Sequence, residues 1–363
     1  MSASPLPPLV ASRVTIDEAR QLVNDYLSGY FVEKISNAKV IHPAYTSLWE
    51  STFALFSAGG KRFRPYMTLL SYQAAGGSRP LVDIVPAASA QEILHLALLV
   101  HDDIIDRDTV RYGVANVAGQ YRDAYAGALK QQDVDHYANA AAILAGDLLL
   151  SGAYELTSRL NLPAHTAAQA TQTLSNAVFA VAGGELLDTE SAFVSNPAGA
   201  ESIATHKTAS YSFIGPLVMG AQLAEASKQY IQQLTAFGLN LGIAFQLQDD
   251  VLSVFGDSSV TGKTTIGDIR EGKRTFLTEQ FYRLASDGQK QQFEGLYGKS
   301  DITEADADIV RSLLQDSGAR QASDERIAEF SVQATIALSK LELQPSFHEA
   351  FEKLIALSTK RAA

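Results

Sequence analysis

The stretch Glu92–Asp108, EILHLALLVHDDIIDRD, decides the fold. It is apolar for most of its length and closes on four carboxylates, Asp102, Asp103, Asp106 and Asp108. On a helix Asp102 and Asp106 share one face with Asp103 beside them, and Leu98 and Leu94 continue that stripe one turn at a time. The pattern predicts a buried helix with hydrocarbon-facing residues below and an acid cluster on top. Acids this close repel unless something positive joins them. A hard divalent cation, held by one or two carboxylates and by substrate phosphates, would do so. A solvated helix end is the plainer alternative.

The same design recurs at Phe245–Asp257, FQLQDDVLSVFGD, where Asp249 and Asp250 follow a second apolar run. Gly242, Gln246, Asp250 and Ser253 fall on one stripe of a helix. Burying such a pair without a counter-charge is costly. Two apolar helices, each ending in an acid pair and facing each other across a cavity, would hold several Mg²⁺ ions between them.

Working outward, helical periodicity continues almost throughout. Residues 1–14 are Pro- and Ser-rich and are expected to be disordered or loosely attached. Residues 15–363 are expected to form one all-α domain, a large bundle of ten or more helices around a central cavity. Thr15-x-x-Glu18 has the form of a capping box opening the first helix. Pro43 opens a second, which Gly59-Gly60 stops. Pro65 lies in the first turn of a third. The Glu92–Asp108 stretch belongs to a helix over 82–106, followed by a loop over 107–131. Long Ala-rich helices are predicted at 134–160, 164–190 and 199–224, then 227–255, a loop over 256–272, and amphipathic helices to the end. No strand alternation and no fixed repeat stand out.

Composition excludes several function classes. The 363-residue chain carries a net charge of −11, which argues against a general nucleic-acid binder. It has no cysteine, which removes disulfides, thiolate catalysis and Cys-ligated zinc together. No run of eighteen apolar residues and no signal-like start appear, so a cytoplasmic protein without a transmembrane segment is expected. The basic residues gather near loops. Gly59-Gly60-Lys61-Arg62-Phe63-Arg64-Pro65 places three cations at a helix start, where glycines admit close backbone approach and the helix N-terminus favours an anion. Lys207 heads the KTAS segment, and Lys263 and Lys273-Arg274 bracket the loop after the second acid pair. Each fits a solvated surface; together with two acid sites they point to a diphosphate pocket, metals on one side and Lys and Arg on the other.

With these blocks in place the chain resembles the trans-isoprenyl diphosphate synthases from about residue 20 onward. GGKRFRP, HDDIIDRD, LAGDLLL (144–150), GGELLD (183–188), HKTAS (206–210), FQLQDD (245–250) and GKTTIGDIREGKRT (262–275) match the family's blocks in order. The resemblance implies an allylic diphosphate bound through three Mg²⁺ to Asp102, Asp106 and Asp249, with Asp103 and Asp250 in support. It places Lys207 and Lys263 on that diphosphate, Arg111 beside it and Lys273 in the substrate-binding set. Isopentenyl diphosphate would sit on Lys61, Arg64 and His95 without metal, and Thr208 and Gln246 would face the allylic cation. A homodimer is implied as well. Three departures stand out: Ser253 where many members have a third Asp, Arg111-Tyr112 in place of paired arginines, and Glu185 where a Gln is common.

Glu92-x-x-His95 also has the form of a carboxylate-bundle di-iron half-site, but no second Glu-x-x-His on another helix accompanies it. A class I terpene cyclase shares the fold and a DDxxD, yet needs neither GGKRFRP nor the second acid pair. A non-catalytic partner subunit would have lost the aspartates retained here. In the family, aromatic residues four or five positions before the first Asp mark short products. Here those positions are Leu98 and Ala97, with Leu94 eight before, so products of C20 or longer are expected rather than the C15 of a farnesyl diphosphate synthase. Phe179 or Tyr154 could form a deeper floor.

Overall fold

A computed structural model describes residues 13–194, 197–256 and 266–359. The expectation for residues 1–12, and Lys263 in the loop after the second acid pair, lie outside the described residues. Among those residues the molecule is all-α. Thr15 caps α1 (Ile16–Ile41) through the expected reciprocal box with Glu18. α2 (Pro43–Ala58) starts on its proline, and α3 (Phe63–Ala74) follows the Gly-Gly break. A 3₁₀ turn at Leu81–Asp83 leads into α4 (Val85–Ile105), the predicted acid-ended helix.

α4 is the axis of the fold. Every residue from Val85 to Leu94 is buried, and the helix packs most extensively on α6 (Gln131–Ser158), with α1, α3 and α7 (Ala164–Ser191) on its other sides. An all-round apolar helix is stable only inside a protein or a membrane, which is why α4 takes the centre. α6 is the one described helix with the length and mean hydropathy (1.2) of a membrane span; half of that window is buried within the fold, as suits a core helix packed on α4.

The stretch expected as a loop over 107–131 has structure of its own. β1 (Val110–Arg111) pairs with β2 (Val114–Ala115) in a two-residue hairpin, and α5 (Val117–Tyr125) follows, capped by Asn116. Tyr112 and Gly113 are both at positive φ, 55° and 78°, as a type I′ turn requires. For a tyrosine that conformation costs about 1–3 kcal/mol. The ties that hold it are Asn116 N to Thr109 O at 3.0 Å and Asn116 Nδ2 to Asp108 O at 2.8 Å.

The helix expected over 199–224 is also interrupted. α8 (Ala200–Ile203) widens into a π-helical segment at Ala204–Ile214, and Gly215-Pro216 restart it as α9 (Gly215–Leu223). Two glycines press neighbouring helices onto this segment. A methyl group on Gly184 of α7 would lie 2.2 Å from Lys207 N, and one on Gly242 of α10 (Lys228–Phe255) would lie 2.5 Å from Ala209 Cα. π-Turns recur at functional sites because they re-aim side chains; here the re-aimed residues are Lys207 and Thr208.

After the second acid pair come α11 (Gly267–Glu271), α12 (Phe276–Leu284), α13 (Asp287–Glu294), α14 (Glu304–Asp316), α15 (Ala319–Leu338) and α16 (Pro345–Thr359). α11–α14 gather around an apolar cluster that includes Phe281, Phe293 and Leu314. α15 and α16 close against α10.

Candidate active site

α4 places its acids on its last turn, with Asp106 as the C-cap. The C-terminal end of a helix is already negative, so these carboxylates work against local electrostatics and need cations. One comes from the hairpin. Arg111 Nε donates to Asp103 Oδ1 at 2.6 Å, and its Nη2 reaches Asp102 Oδ2 at 3.2 Å and Asp108 Oδ2 at 3.8 Å. Arg111, expected beside the diphosphate, lies on the aspartates of the first pair. Asp103 is 2% exposed, and burial, opposed by Arg111, pushes its carboxyl up to about 6. Its second oxygen is buried without a partner. Burial and Asp102 raise Asp106 as well.

The π-helical segment joins the two acid pairs. Lys207 Nζ donates to Asp188 at 2.6 Å, lies 2.9 Å from Glu185 and 3.6 Å from Asp102. Burial alone would lower this amine, but Asp188, Glu185 and Asp102 raise it, so it stays an ammonium. The next residue, Thr208, donates to Gln246 Oε1 at 2.5 Å, and Gln246 Nε2 donates to Asp250 Oδ1 at 2.7 Å. Consecutive residues of one π-turn therefore reach α4 on one side and α10 on the other. Burial, opposed by the Gln246 hydrogen bond, pushes Asp250 up to about 8. Ser253 does not stand in for a third Asp: its hydroxyl donates to the Asp250 carbonyl at 2.8 Å. Lys273 lies 3.2 Å from Glu271 and 3.8 Å from Asp268, and its charge acts on Asp106 across the site.

The donor chemistry fits a hard divalent cation. The donors are carboxylate oxygens, they outnumber the cations around them, and Asp103 Oδ2 is orphaned. Among the described residues no three His, Cys, Asp or Glu side chains converge into a ready-made cage. Such a site holds Mg²⁺ through one or two carboxylates and completes it with substrate phosphates.

A group of basic residues lies at the start of α3, beside α4. Of its three cations, Arg62 turns inward, which the cluster of charges in GGKRFRP did not foretell. It pairs with Glu92 at 2.9 Å and donates to Phe56 O at 2.7 Å, Gly59 O at 2.8 Å and Asn24 Oδ1 at 2.9 Å. Breaking a buried pair costs about 3–5 kcal/mol, so Arg62 is not a ligand in waiting. Glu92 is taken by the same pair, which removes the di-iron reading. Arg64 Nη2 donates to Ser212 at 2.7 Å and Tyr211 at 3.2 Å, while its Nε is buried without a partner. Lys61 is exposed. His95 Nδ1 lies 3.5 Å from Tyr211 Oη. Burial, then Arg64, Arg111 and Arg62, hold His95 well below its ordinary range, so it is a neutral imidazole rather than a cation. His101 packs on α6, its Nε2 3.3 Å from Ile143 O.

Below the acids, Leu94 and Ala97 are each 1% exposed and Leu98 is half-buried. Phe179 is 85% exposed, so within one chain it forms no tunnel floor; Tyr154 is half-buried against the main core. Asp188 and the Arg64 partners Tyr211 and Ser212 were not assigned a role from sequence. GGELLD did flag Asp188, whereas nothing local marks a tyrosine 147 residues from its arginine.

The polyprenyl synthetase family model matches residues 46–315. The geranylgeranyl diphosphate synthase of Sulfolobus acidocaldarius is 32% identical over 304 residues, 80% of this chain and 86% of that protein. The geranylfarnesyl diphosphate synthase of Aeropyrum pernix is 31% identical over 292 residues, 79% of this chain and 85% of that protein. A geranylgeranyl pyrophosphate synthase of Corynebacterium glutamicum, solved with isoprenyl diphosphate and magnesium, superposes with a TM-score of 0.90 at 29% identity, covering 96% of this chain and 100% of that one. The chain belongs to the polyprenyl synthetase family.

Proposed function

We propose that this chain condenses isopentenyl diphosphate head to tail with an allylic diphosphate, giving all-trans prenyl diphosphates of C20 or longer. The observation that carries the reading is the π-turn whose adjacent residues, Lys207 and Thr208, link the Asp102 helix to the Asp250 helix. A separate basic pocket, Lys61 and Arg64 with neutral His95, adjoins them. Relatives named for geranylgeranyl and geranylfarnesyl diphosphate synthesis support the product class.

Asp102, Asp106 and Asp249 would hold Mg²⁺, three ions per site, with Asp103 and Asp250 behind them. When bound, the ions neutralise the diphosphate as it leaves. The chain's own part is preorganised charge and dryness. Lys207, with Lys263 and Lys273, takes the allylic diphosphate oxygens as the carbon–oxygen bond breaks. Lys61, Arg64 and His95 fix isopentenyl diphosphate so that its double bond faces the allylic carbon. The new carbon–carbon bond forms there, and the proton released from the isopentenyl unit goes to the departing pyrophosphate. The apolar wall below, from Leu98 through Ala97 to Leu94, excludes water from the cation and receives the growing tail. Thr208 and Gln246 face the cation with their oxygens.

The enzyme would work as a homodimer. Phe179 and Leu186 are 85% and 69% exposed at seven-residue spacing along α7, Phe193 just past its end is 81% exposed, and Ile143 and Leu144 are exposed on α6. A monomer rarely leaves so large an apolar stripe open. Light scattering should give twice the chain mass, and Phe179→Asp with Leu186→Asp should give the chain mass.

Incubation with isopentenyl diphosphate, an allylic primer and Mg²⁺, read by mass spectrometry, tests the reaction. Diphosphates of C20 or more are expected. Hydrocarbons would mean a cyclase, a C15 main product a farnesyl diphosphate synthase, and no product a non-catalytic subunit.

A further inference from the structure

Lys273, whose charge acts on Asp106 across the site, stands on a segment that cannot hold its own shape. It follows α11, a helix of five residues, and a helix so short has too few internal hydrogen bonds to be stable alone. The ammonium pairs with Glu271 at 3.2 Å and Asp268 at 3.8 Å. Both acids belong to α11 itself, so neither pair ties the lysine to the body of the molecule.

That tie comes from the turn after α13. Tyr297 Oη donates to the Lys273 carbonyl at 2.6 Å, and Gly298 N donates to the Ile269 carbonyl at 2.8 Å. The two bonds straddle the C-terminal end of α11, where Gly272 closes the helix at φ 68°. Gly298 is also at positive φ, 83°. A methyl group on Gly272 would lie 3.0 Å from Gly298 Cα, so the two backbones meet at a distance that suits glycine on both sides.

Behind this clasp is a column of rings. Tyr297 stacks on Phe293 at 4.5 Å between centroids and 20° between planes, and Phe293 stacks on Phe281 at 4.3 Å and 29°. Phe281 and Phe293 are wholly buried in the α11–α14 cluster. Stacked rings have few rotamers and pack tightly, so the column carries the rigidity of that cluster out to the backbone of Lys273. Burial, then Asp268 and Asp250, raise the phenol, so it keeps its proton and remains a donor.

We propose that Tyr297 is a positioning residue for the condensation: its hydroxyl holds the Lys273 carbonyl and thereby aims the Lys273 ammonium at the allylic diphosphate beside Asp106. The assignment rests on the condensation reading above. The tyrosine touches no substrate and acts through the lysine. It gives α12 and α13, to which no metal or phosphate contact is assigned, a part in the chemistry: they anchor one of its cations. Misplacing such a group by about 1 Å can cost about a hundredfold in rate.

Tyr297→Phe keeps the stack on Phe293 and removes only the hydroxyl. The kcat/KM for the allylic diphosphate should fall about three- to tenfold, as for the loss of one hydrogen bond, while the isopentenyl KM stays within about twofold. Calorimetric titration with inorganic pyrophosphate, taking the Mg²⁺-dependent part of the binding, reads the same contact apart from turnover and should weaken by a similar factor. The deciding comparison is a double-mutant cycle with Lys273→Ala. Once the ammonium is gone the hydroxyl has nothing to aim, so Tyr297→Phe with Lys273→Ala should bind pyrophosphate as Lys273→Ala does. Equal losses from Tyr297→Phe in the presence and absence of Lys273 mark the hydroxyl as merely structural and overturn the assignment. An unchanged allylic kcat/KM and pyrophosphate affinity in Tyr297→Phe overturn it too. A wild type that binds pyrophosphate with Mg²⁺ yet forms no elongated product would overturn the condensation reading instead, and the titration cycle would still decide whether Tyr297 positions Lys273.

Discussion

Asp102-Asp103 on α4 and Asp249-Asp250 on α10 look alike in sequence, and the molecule treats them differently. In each pair the second aspartate is turned inward and raised by burial. Asp103 meets a guanidinium and rises to about 6, whereas Asp250 meets the neutral amide of Gln246 and rises to about 8. The third position differs too: Asp106 caps its helix, while Ser253 turns back on its own backbone. A charged partner keeps an aspartate available as an anion, and a neutral partner lets it hold a proton. On the proposed reading, the pair on α4 would carry most of the metal-binding charge, and the pair on α10 would contribute chiefly through Asp249.

The sharpest way to break that comparison is to remove the leading acid of the first pair. Asp102→Ala should lower product formation by about a thousandfold or more, the scale expected when a charge-stabilising contact to a leaving group is lost. The fold should survive, because removing one of several mutually repelling acids at a helix C-terminus relieves strain. Circular dichroism and radiometric product assay check the two halves. An unaltered rate would sink the metal assignment.

Next in size is a change that leaves both pairs untouched. Lys61→Ala should raise the isopentenyl KM about 10- to 100-fold, since one charge-assisted hydrogen bond contributes roughly 1.5–3 kcal/mol. The allylic KM should hardly move. The reverse pattern in steady-state kinetics would mean that the two substrates have been exchanged.

A smaller effect on rate, though a visible one on product, comes from the stripe beneath the first pair. One helical turn advances about 5.4 Å, comparable to one extended isoprene unit. Ala97 is buried one turn below the acids. Ala97→Phe should shift the mass-spectrometric profile toward shorter chains. An unchanged profile would refute a tail running down α4.

Most of the architecture was legible because α4 and α10 combine helical periodicity with acids where a helix resists them; no solvated helix needs both. The hairpin was not legible, since a two-residue pairing between Arg111 and Val114 is too short to show alternation, and a tyrosine is an unusual first residue for its turn. The π-segment was hidden for another reason: HKTAS within an Ala-rich run has ordinary helix propensity, and the widening follows from Gly184 and Gly242 packing on it from two other helices. The cluster Lys61-Arg62-Arg64 does not by itself say which member turns inward. Glu92, thirty residues away, together with Asn24 and the Phe56 and Gly59 carbonyls, fixes which arginine faces the core.

The finest test of the comparison is Asp250→Asn, measured without metal. A carboxyl raised by burial binds its proton more tightly in the folded than in the unfolded chain. Between the ordinary aspartate value, 3.8, and about 8 the folded state therefore carries more protons. Stability that Asp250 supports below pH 4 is lost as the pH rises through that window. Asparagine cannot ionise, and it keeps the acceptor oxygen that Gln246 Nε2 needs. The melting temperature of Asp250→Asn should match the wild type near pH 4 and exceed it by a few degrees at pH 8, the gap widening with each step upward. Asp103→Asn should show a narrower version of the same trend that levels off by about pH 6, offset by the loss of the Arg111 ion pair. A constant gap across pH in Asp250→Asn would mean that the Gln246 amide holds an anion after all, and that the two pairs are electrostatically the same.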